Sequence, residues 1–200
     1  MDEQIASTVD TYESVADQYH ERHADRSDIQ EPLDLFLSLL DGDRVLDVGC
    51  GPGWETEMFA ENGFDITGID LTPEFLDIAR ETAPAGTFAR MDMRQLGFPD
   101  RSFDGLWSCA SFLHVPRSDA DSTLSEFHRV LRPGGALALA VKQGDGEQTG
   151  NTYENDKRRF TLYDVDDLRE KVEKAGFTVE DVAVDEWIQL SGRACSSVDT

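Results

Sequence analysis

The chain alternates between two spacings of apolar residues, and this alternation predicts a regular succession of strands and helices. Short, nearly continuous apolar runs bounded by turn residues predict strands, whereas apolar residues that recur every three to four positions predict helices. The predicted strands are residues 44–48, 65–70, 87–90, 103–110 and 136–142, and the helices between them are residues 54–62, 73–82 and 119–131. This pattern is typical of a parallel sheet with helices on both faces.

The residues before the first strand predict a helical segment of their own. Apolar side chains recur on one helical face ahead of Pro32, and residues 31–40 predict a second helix with that proline near its start. The 200 residues contain enough apolar side chains for one core of ordinary size. We therefore interpret residues 1–200 as a single domain, with residues 1–40 as an N-terminal helical cap and residues 41–200 as the core.

The end of the chain predicts a last helix and two closing strands. Residues 161–177 place their apolar positions on one helical face, and the short turn between residues 178–184 and 186–192 favours an antiparallel pair at the sheet edge. The polar residues 143–151 predict a mobile loop. We expect this loop beside the carboxyl edge of the sheet, where open α/β sheets bind their ligands.

The stretch VLDVGCGPG, residues 45–53, places three glycines directly after a run of β-formers. Glycines at the end of the first strand remove the β-carbons that would hold a ligand away from the backbone. Their spacing is G-x-G-x-G, and Trp54 stands where the G-x-G-x-x-G of dinucleotide sites requires a third glycine. Asp47 would repel a phosphate and attract an ammonium group, so we expect a nucleoside that carries a cation.

Two acids at the ends of the next strands fit the remaining parts of such a ligand. Asp70 follows the glycines by about twenty residues, as expected of an acid that binds both ribose hydroxyls. Asp92 lies in the sequence MDM, where it is placed to accept from an exocyclic amine while Met91 or Met93 packs on adenine. Each acid also has an ordinary alternative, a helix cap for Asp70 and a cap or surface charge for Asp92.

These residues carry a resemblance to a known family. VLDVGCGPG, GIDLTPEFLDIAR, ARMDMRQLGFPDRSFDGLWSCASFLHV and LRPGGALALAV resemble the successive motifs of class I S-adenosylmethionine-dependent methyltransferases, over roughly residues 40–142. The resemblance implies a Rossmann-like, doubly wound α/β fold with helices on both faces. Its seven-stranded, mostly parallel sheet would have the order 3-2-1-4-5-7-6, with strand seven antiparallel.

The resemblance also implies S-adenosyl-L-methionine as the cofactor. In the family the glycine turn holds the amino-acid part, the acid after the second strand holds the ribose, and the residues after the third strand hold the adenine. The cofactor-binding residues assigned on this basis are Asp47, Gly49, Cys50, Gly51, Gly53, Asp70, Leu71, Asp92, Met93 and Ser108. The glycine turn alone is weak evidence, but the combination of motifs is specific.

The methyl acceptor is expected at the same edge of the sheet. His114 follows the fourth strand and is the candidate catalytic residue, because imidazole accepts a proton near neutral pH; a structural histidine is the alternative. Tyr12 and Tyr19 share a helical face, which indicates either packing or contact with the acceptor, and Lys142 ends the fifth strand. In the family the first helix often covers the active site. We treat Tyr12, Tyr19 and Lys142 as candidate substrate contacts.

We therefore predict an enzyme that transfers the methyl group of S-adenosylmethionine to a small-molecule acceptor, mainly by proximity and alignment. A nicotinamide-dependent oxidoreductase would share the strand, the turn and the ribose acid, but Trp54 and Asp47 oppose it. A cofactor-binding or partner protein without enzymatic activity is the other alternative. The sequence leaves the acceptor and the oligomeric state open.

The formal net charge of the chain is −23, from 41 acidic and 18 basic residues. Nucleic-acid phosphates are bound by lysine and arginine, so we expect no nucleic-acid partner. Acidic residues are spread over every segment of the chain. A uniformly acidic surface of this kind keeps proteins soluble in concentrated salt, and we hypothesise a halophilic source.

The cysteines and the apolar runs indicate where the protein resides. Cys50, Cys109 and Cys195 are odd in number and widely spaced, which supports neither a disulfide framework nor a metal site. The longest apolar run is far too short to span a membrane, and the N-terminus is acidic, unlike a signal peptide. We expect a soluble, cytoplasmic protein with no bound metal and no membrane partner.

The salt hypothesis predicts a rise in melting temperature from low to molar potassium chloride. Repulsion among surface carboxylates is screened over about 3 Å at 1 M salt, so the folded state should gain stability. Thermal unfolding of the protein across this salt range measures the effect. A flat or falling melting temperature would contradict the hypothesis, and an equal rise in an uncharged osmolyte would assign the effect to exclusion of solute from the protein surface instead.

Overall fold

A computed structural model describes residues 3–196 of the chain. Nine strands, six α-helices and three short 3₁₀ helices are present in this part. The strands are β1 (Arg44–Val48), β2 (Asp65–Asp70), β3 (Thr87–Arg90), β4 (Phe103–Cys109), β5 (Leu131–Lys142), β6 (Glu147–Thr149), β7 (Arg159–Thr161), β8 (Phe177–Val184) and β9 (Trp187–Ala194). The helices are α1 (Glu3–Arg22), α2 (Gln30–Leu39), α3 (Trp54–Glu61), α4 (Pro73–Thr82), α5 (Ala120–Val130) and α6 (Val165–Lys174).

Seven of the strands form one mixed sheet in the order β3-β2-β1-β4-β5-β9-β8. Strands β1 to β5 are parallel, and β9 is antiparallel to both β5 and β8. Because β8 and β9 are the sixth and seventh strands of this sheet along the chain, the predicted order 3-2-1-4-5-7-6 with an antiparallel seventh strand is confirmed. The reversal of strand order between β1 and β4 creates the crevice where doubly wound sheets bind ligands.

The two faces of the sheet pack against different helices. Leu46 and Val48 of β1 belong to the larger core, which also contains buried side chains of α5 and α6. Val45, on the opposite face of β1, belongs to a second core with Phe36 of α2 and Phe59 of α3. Alternate residues of a strand point to opposite faces, so a nearly continuous apolar strand is what a sheet covered on both sides requires.

The predicted loop over residues 143–151 is wrong for its central part. Residues 147–149 form β6, which pairs antiparallel with β7 in a small separate sheet. The Arg159 guanidinium donates to Thr149 Oγ1 at 3.1 Å and to the Glu147 carboxylate at 3.0 Å across this pair. The periodicity of a single segment could not reveal this backbone pairing, because its partners lie ten to fourteen residues apart in the chain.

The N-terminal cap contacts the core where α1 meets the β6–β7 hairpin. The backbone N–H groups of Lys157 and Arg159 donate to Thr11 Oγ1 and Thr8 Oγ1 at 3.2 and 3.1 Å. These bonds join α1 to the segment around β7 and place the helix over the carboxyl edge of the sheet. Among the described residues, no helix has the length and apolar character needed to cross a membrane.

Candidate active site

A cleft with an empty volume of about 780 Å³ opens at the carboxyl edge of β1 to β4. The cleft is lined by Ile5, Thr8, Val9, Tyr12, Tyr19, Gly49, Gly51, Ile69, Asp70, Leu71, Thr72, Phe75, Met91, Asp92, Met93, Arg94, Cys109, Ala110, Ser111, His114 and Val115. The cap helix α1 and the strand ends of the core therefore share one cavity.

The three glycines of the turn after β1 all have positive φ angles, but they serve different purposes. A β-carbon on Gly51 would meet no atom within 4 Å, and this residue lines the cleft. A β-carbon on Gly49 would lie 2.2 Å from Ser111 Cβ, so this glycine allows the turn to approach the segment after β4. Gly53 does not line the cleft; it starts α3 and approaches Ala79 of α4.

Asp70 is held with its carboxylate in the cleft by two backbone groups. Its Oδ1 accepts from Thr72 N–H at 2.8 Å, and its Oδ2 accepts from Gly51 N–H at 3.0 Å. Burial raises the Asp70 pKa, and these N–H bonds oppose that rise. A carboxylate has about four lone-pair positions, so each oxygen can accept one further bond from a ligand. Leu71 lines the cleft beside it.

Asp47 lies beneath the glycine turn and does not line the cleft. Its carboxyl is 2% exposed and accepts from Thr56 Oγ1 at 2.6 Å, a bond that joins the end of β1 to α3. Burial, reinforced by the charge of Glu55, raises the pKa of Asp47 to about 8. The structure thus gives Asp47 a supporting position rather than the direct contact with an ammonium group that its sequence position suggested.

Cys50 and Ser108 are likewise buried behind the cleft wall. The Cys50 side chain is 3% exposed, and burial raises the pKa of its thiol well above its ordinary value. Ser108 is fully buried and shares a hydrogen bond of 2.7 Å with Ser111 Oγ. Ser111 does line the cleft, and its hydroxyl also donates to the Val48 carbonyl. Sequence reasoning therefore identified Ser108 but missed its partner Ser111, which reaches the cleft.

Asp92 and Met93 line the cleft together with Arg94, which sequence reasoning missed. The Arg94 guanidinium donates to Asp92 Oδ2 at 2.8 Å and to Asp119 at 2.8 Å. Burial raises the pKa of Asp92, but the bonds from Arg94 outweigh it and hold that pKa below its usual value. Asp92 is therefore ionised, and part of its accepting capacity is already used by Arg94.

Tyr12 and His114 meet across the cleft, although they lie 102 residues apart. The Tyr12 hydroxyl is 2.9 Å from His114 Nε2, and His114 Nδ1 is 2.7 Å from the Arg159 carbonyl oxygen. Burial lowers the pKa of His114 to about 4 and raises that of Tyr12 to about 12. Both groups are therefore neutral near neutral pH, and the structure confirms that His114 lies at the carboxyl edge.

Tyr19 and Lys142 occupy different positions relative to this pair. Tyr19 lines the cleft and packs edge-on against Tyr12, with ring centroids 5.4 Å apart. The Lys142 ammonium does not line the cleft but lies 4.5 Å from the centroid of the Phe160 ring. Phe160 in turn packs on His114, with centroids 5.0 Å apart. Lys142 is therefore separated from the cleft by at least one aromatic ring.

Arg158 is a further charged residue at this site that the sequence did not single out. Its side chain is 7% exposed and is bound by Asp156, whose side chain is 1% exposed. The guanidinium lies over the Tyr12 ring at 5.1 Å and 3.4 Å from its hydroxyl oxygen. The only local signal was an Asp two positions before an Arg in a polar stretch, which is far too common to indicate a buried pair.

Comparisons with known proteins agree on one family. Residues 46–139 match the family model of the methyltransferase domain. A malonyl-[acyl-carrier protein] O-methyltransferase of Serratia marcescens is 32% identical over 72% of this chain and 56% of its own length. A 2-methyl-6-phytyl-1,4-hydroquinone methyltransferase of Synechocystis is 34% identical over 73% of this chain and 50% of its own length. The chain thus spans about half the length of these curated relatives.

A solved structure extends the similarity to nearly the whole fold. The 1,6-didemethyltoxoflavin-N1-methyltransferase of Burkholderia thailandensis, crystallised with 1,6-didemethyltoxoflavin and S-adenosylhomocysteine, has a TM-score of 0.79. The match covers 96% of this chain and 88% of that protein, at 22% identity. At this level of identity the similarity concerns the fold, and it includes the cap and the closing strands outside residues 46–139.

The raised pKa of Asp47 predicts a pH-dependent stability that Asp47→Asn removes. An aspartate in the unfolded chain has a pKa of about 3.9, whereas folded Asp47 has one of about 8. Between these values the folded state retains a proton that the unfolded state releases, so the stability contributed by Asp47 is complete below about pH 4 and is lost as pH rises. Asparagine has no such titration.

Thermal unfolding of the wild type and of Asp47→Asn at several pH values tests this effect. The melting temperature of the wild type, relative to the variant, should fall as the pH rises towards and past the folded pKa. Asp65→Asn removes an equal charge from the exposed start of β2 and should run parallel to the wild type. A constant difference between wild type and Asp47→Asn would show that Asp47 titrates normally.

Proposed function

The chain belongs to the class I S-adenosylmethionine-dependent methyltransferases, and on that premise we propose that it transfers a methyl group to a small-molecule acceptor. The observation that carries this proposal is the cleft itself, in which an open glycine turn and the Asp70 carboxylate face the Tyr12–His114 pair. One side of the cavity suits a nucleoside and the other suits an acceptor. When bound, the cofactor supplies a methyl group made electrophilic by its sulfonium sulfur.

The residues of the cleft fit this cofactor. The space above Gly51, which a β-carbon would enter without meeting another atom, would accommodate the amino-acid part close to the backbone. Asp70 would hold the ribose hydroxyls beside Leu71, with its two backbone bonds fixing the orientation of the carboxylate. Met93 and the ionised Asp92 would hold the adenine. These assignments rest on which residues reach the cavity and what they can donate or accept.

We assign the remaining sequence candidates a supporting role in cofactor binding. Asp47 joins the glycine turn to α3 through Thr56, and because burial raises its pKa to about 8, it contributes this hydrogen bond rather than a negative charge near neutral pH. Gly53 allows α3 to start directly after the turn, and Ser108 orients Ser111. Residues behind a binding wall commonly fix the geometry of those in it, and changing them costs affinity indirectly.

We infer that residues 1–40 act as the cap of the same domain. Five side chains of α1 line the cleft, including those of Tyr12 and Tyr19. Trp54 supports this cap, because its ring stacks on His20 with centroids 5.3 Å apart and on Tyr19 at 5.9 Å. A cap in this position would exclude water from the methyl group during transfer. It would also align the acceptor with that methyl group, and this alignment is the main source of catalysis proposed here.

For the acceptor we propose only its class, a small molecule, and for the location of the protein we propose the cytoplasm. The proteins named above are one malonyl-[acyl-carrier protein] O-methyltransferase, one hydroquinone methyltransferase and one N1-methyltransferase. The names of the last two specify small molecules, which supports a small acceptor without selecting its atom. The charge of −23 opposes a nucleic-acid acceptor. The free thiols of Cys50, Cys109 and Cys195 support a reducing, cytoplasmic location.

Asp70→Ala should weaken binding of S-adenosylhomocysteine at least tenfold. Each hydrogen bond to a charged group contributes about 1.5–3 kcal/mol, and about 1.4 kcal/mol is a factor of ten in affinity. Titration calorimetry measures the affinity, and circular dichroism checks that the variant is folded. Asp65→Ala, at the opposite end of β2, is the matched control and should bind as the wild type does. Equal affinity of folded Asp70→Ala would place the ribose elsewhere.

The transferase activity itself is tested by release of S-adenosylhomocysteine. The protein should release it from S-adenosylmethionine when a suitable member of a panel of phenols, enols, carboxylic acids, amines and thiols is present. Mass spectrometry should show a gain of one methyl group on that compound. Tight binding of NAD with no response to either adenosyl compound would favour the oxidoreductase, and cofactor binding without methylation of any acceptor would favour the non-enzymatic alternative.

A further inference from the structure

The hydrogen bonds around His114 fix which ring nitrogen carries the proton. Nδ1 lies 2.7 Å from the Arg159 carbonyl oxygen, and a carbonyl can only accept, so Nδ1 is protonated. In a neutral imidazole Nε2 then carries a lone pair. The Tyr12 hydroxyl, 2.9 Å from Nε2, must therefore donate to it. The bonds run in one direction, from Tyr12 through His114 to the backbone.

Because the Tyr12 hydroxyl donates to His114, its oxygen can accept a hydrogen bond from a molecule in the cleft. The hydroxyl proton is directed at His114, and the oxygen retains two lone pairs. Arg158 Nη1, at 3.4 Å, is near enough to use one of them weakly. The other is available to a molecule in the cleft, which Tyr12 lines. The bound molecule best suited to this position is one that donates a hydrogen from the atom to be methylated.

The charges in the cleft indicate a neutral acceptor. Among the described lining residues, the only cation is Arg94, and it is bound by Asp92 and Asp119. Arg158, behind Tyr12, is neutralised by Asp156 through contacts of 2.6 and 2.8 Å. The described part of the chain thus offers no unpaired cation in this cavity for a carboxylate or a phosphate. The rings of Tyr19 and Phe75 add apolar walls.

We propose that Tyr12 and His114 form a proton relay for a neutral acceptor with a weakly acidic hydroxyl, of the phenol or enol kind. This inference rests on the proposed methyl transfer. The acceptor hydroxyl gives its proton to the Tyr12 oxygen while the Tyr12 proton passes to His114 Nε2. The electron pair left on the acceptor oxygen forms the bond to the methyl carbon, and the former carbon–sulfur pair stays on the departing thioether.

The relay conserves charge inside a buried site. One positive charge is lost when the sulfonium becomes a thioether, and one appears on the His114 ring, so the cleft carries the same net charge before and after transfer. Moving a charge within a cavity costs less than creating one there, because isolated charges are expensive to bury. The imidazolium later releases its proton to solvent, which returns Tyr12 and His114 to their starting state.

The surroundings of the pair favour this return. Burial lowers the pKa of His114, opposed by its bond to the Arg159 carbonyl. Among charged groups, Arg158 and Lys142 lower that pKa further, whereas Asp156 raises it. For Tyr12, burial raises the pKa, Arg158 lowers it, and Asp70 and Tyr153 raise it. Both groups therefore start neutral, and a proton on His114 is lost readily once transfer is complete.

The first test observes the tautomer and needs no acceptor. NMR of the full chain with ¹⁵N-labelled histidine should show His114 as the Nδ1–H form, with its signals assigned by their loss in His114→Gln. In Tyr12→Phe the Nε2 resonance should move to higher frequency, because the lone pair loses its donor. Tyr19→Phe removes a hydroxyl from the same face of α1 and should leave that resonance in place. A ring protonated at Nε2, or a resonance insensitive to Tyr12→Phe, would overturn the relay.

The second test separates proton transfer from packing. Tyr12→Phe and His114→Gln should each lower kcat for a neutral phenol by roughly 10²–10⁴, and the double variant should lose no more than either alone, as expected for residues that act as a unit. A nitrophenol that is already ionised at the assay pH should escape most of this loss. Equal losses for both phenols would show a structural role and overturn the relay.

Further outcomes distinguish failure of this inference from failure of the proposed function. Methylation of amines, thiols or carboxylates but of no hydroxyl would overturn the acceptor class while leaving the transferase activity established. Cofactor binding without methylation of any compound would overturn the proposed function, and the NMR result would still decide whether the Tyr12–His114 bond exists. Calorimetry with S-adenosylhomocysteine should give wild-type affinity for both variants, which excludes loss of the cofactor site as the cause.

Discussion

The site depends on a single carbonyl group at the end of β2. The Ile69 carbonyl oxygen accepts from both Gly49 N–H and Cys50 N–H, at 2.8 and 3.0 Å, and this binds the glycine turn to the neighbouring parallel strand. The next residue along each segment then forms the bond from Gly51 N–H to the Asp70 carboxylate. The turn can close this tightly only because Gly49 and Gly51 adopt positive φ angles, which cost glycine little. The geometry of the turn and of the Asp70 carboxylate, which we propose to hold the cofactor, is thus a consequence of strand pairing.

The half of the cleft that we propose for the acceptor is built differently, from segments distant in the chain. Tyr12 comes from the cap, His114 from the short turn after β4, and the carbonyl that orients the imidazole from Arg159 of the small hairpin. Each of these segments is held by the others, since Thr8 of α1 also accepts the Arg159 N–H. The hairpin and the cap therefore form one unit around the Tyr12–His114 pair, apart from the Gly51–Asp70 contact on the other side of the cleft.

This difference explains what the sequence could predict. The strands of the sheet and the positions of Gly51 and Asp70 follow from periodicity and from spacing along a continuous stretch, and both are local properties. The order of the strands was expected from the family resemblance and is confirmed. The direct contact expected of Asp47 failed because alternation along β1 turns its side chain towards α3, beneath the turn. Arg158 and the β6–β7 hairpin were missed because their environment comes from pairings between distant segments, which no periodicity encodes.

The strongly acidic composition and the chemistry of the cleft are kept apart. Most of the 41 acidic residues lie on the surface, where under the salt hypothesis they would govern solubility and the response to salt. The acids that reach the cleft are constrained individually: Asp70 by two backbone donors and Asp92 by Arg94. Because these bonds are short and partly buried, salt screens them far less than it screens the surface charges. An acidic protein can therefore adapt its surface to concentrated salt without changing the charges that its ligands meet.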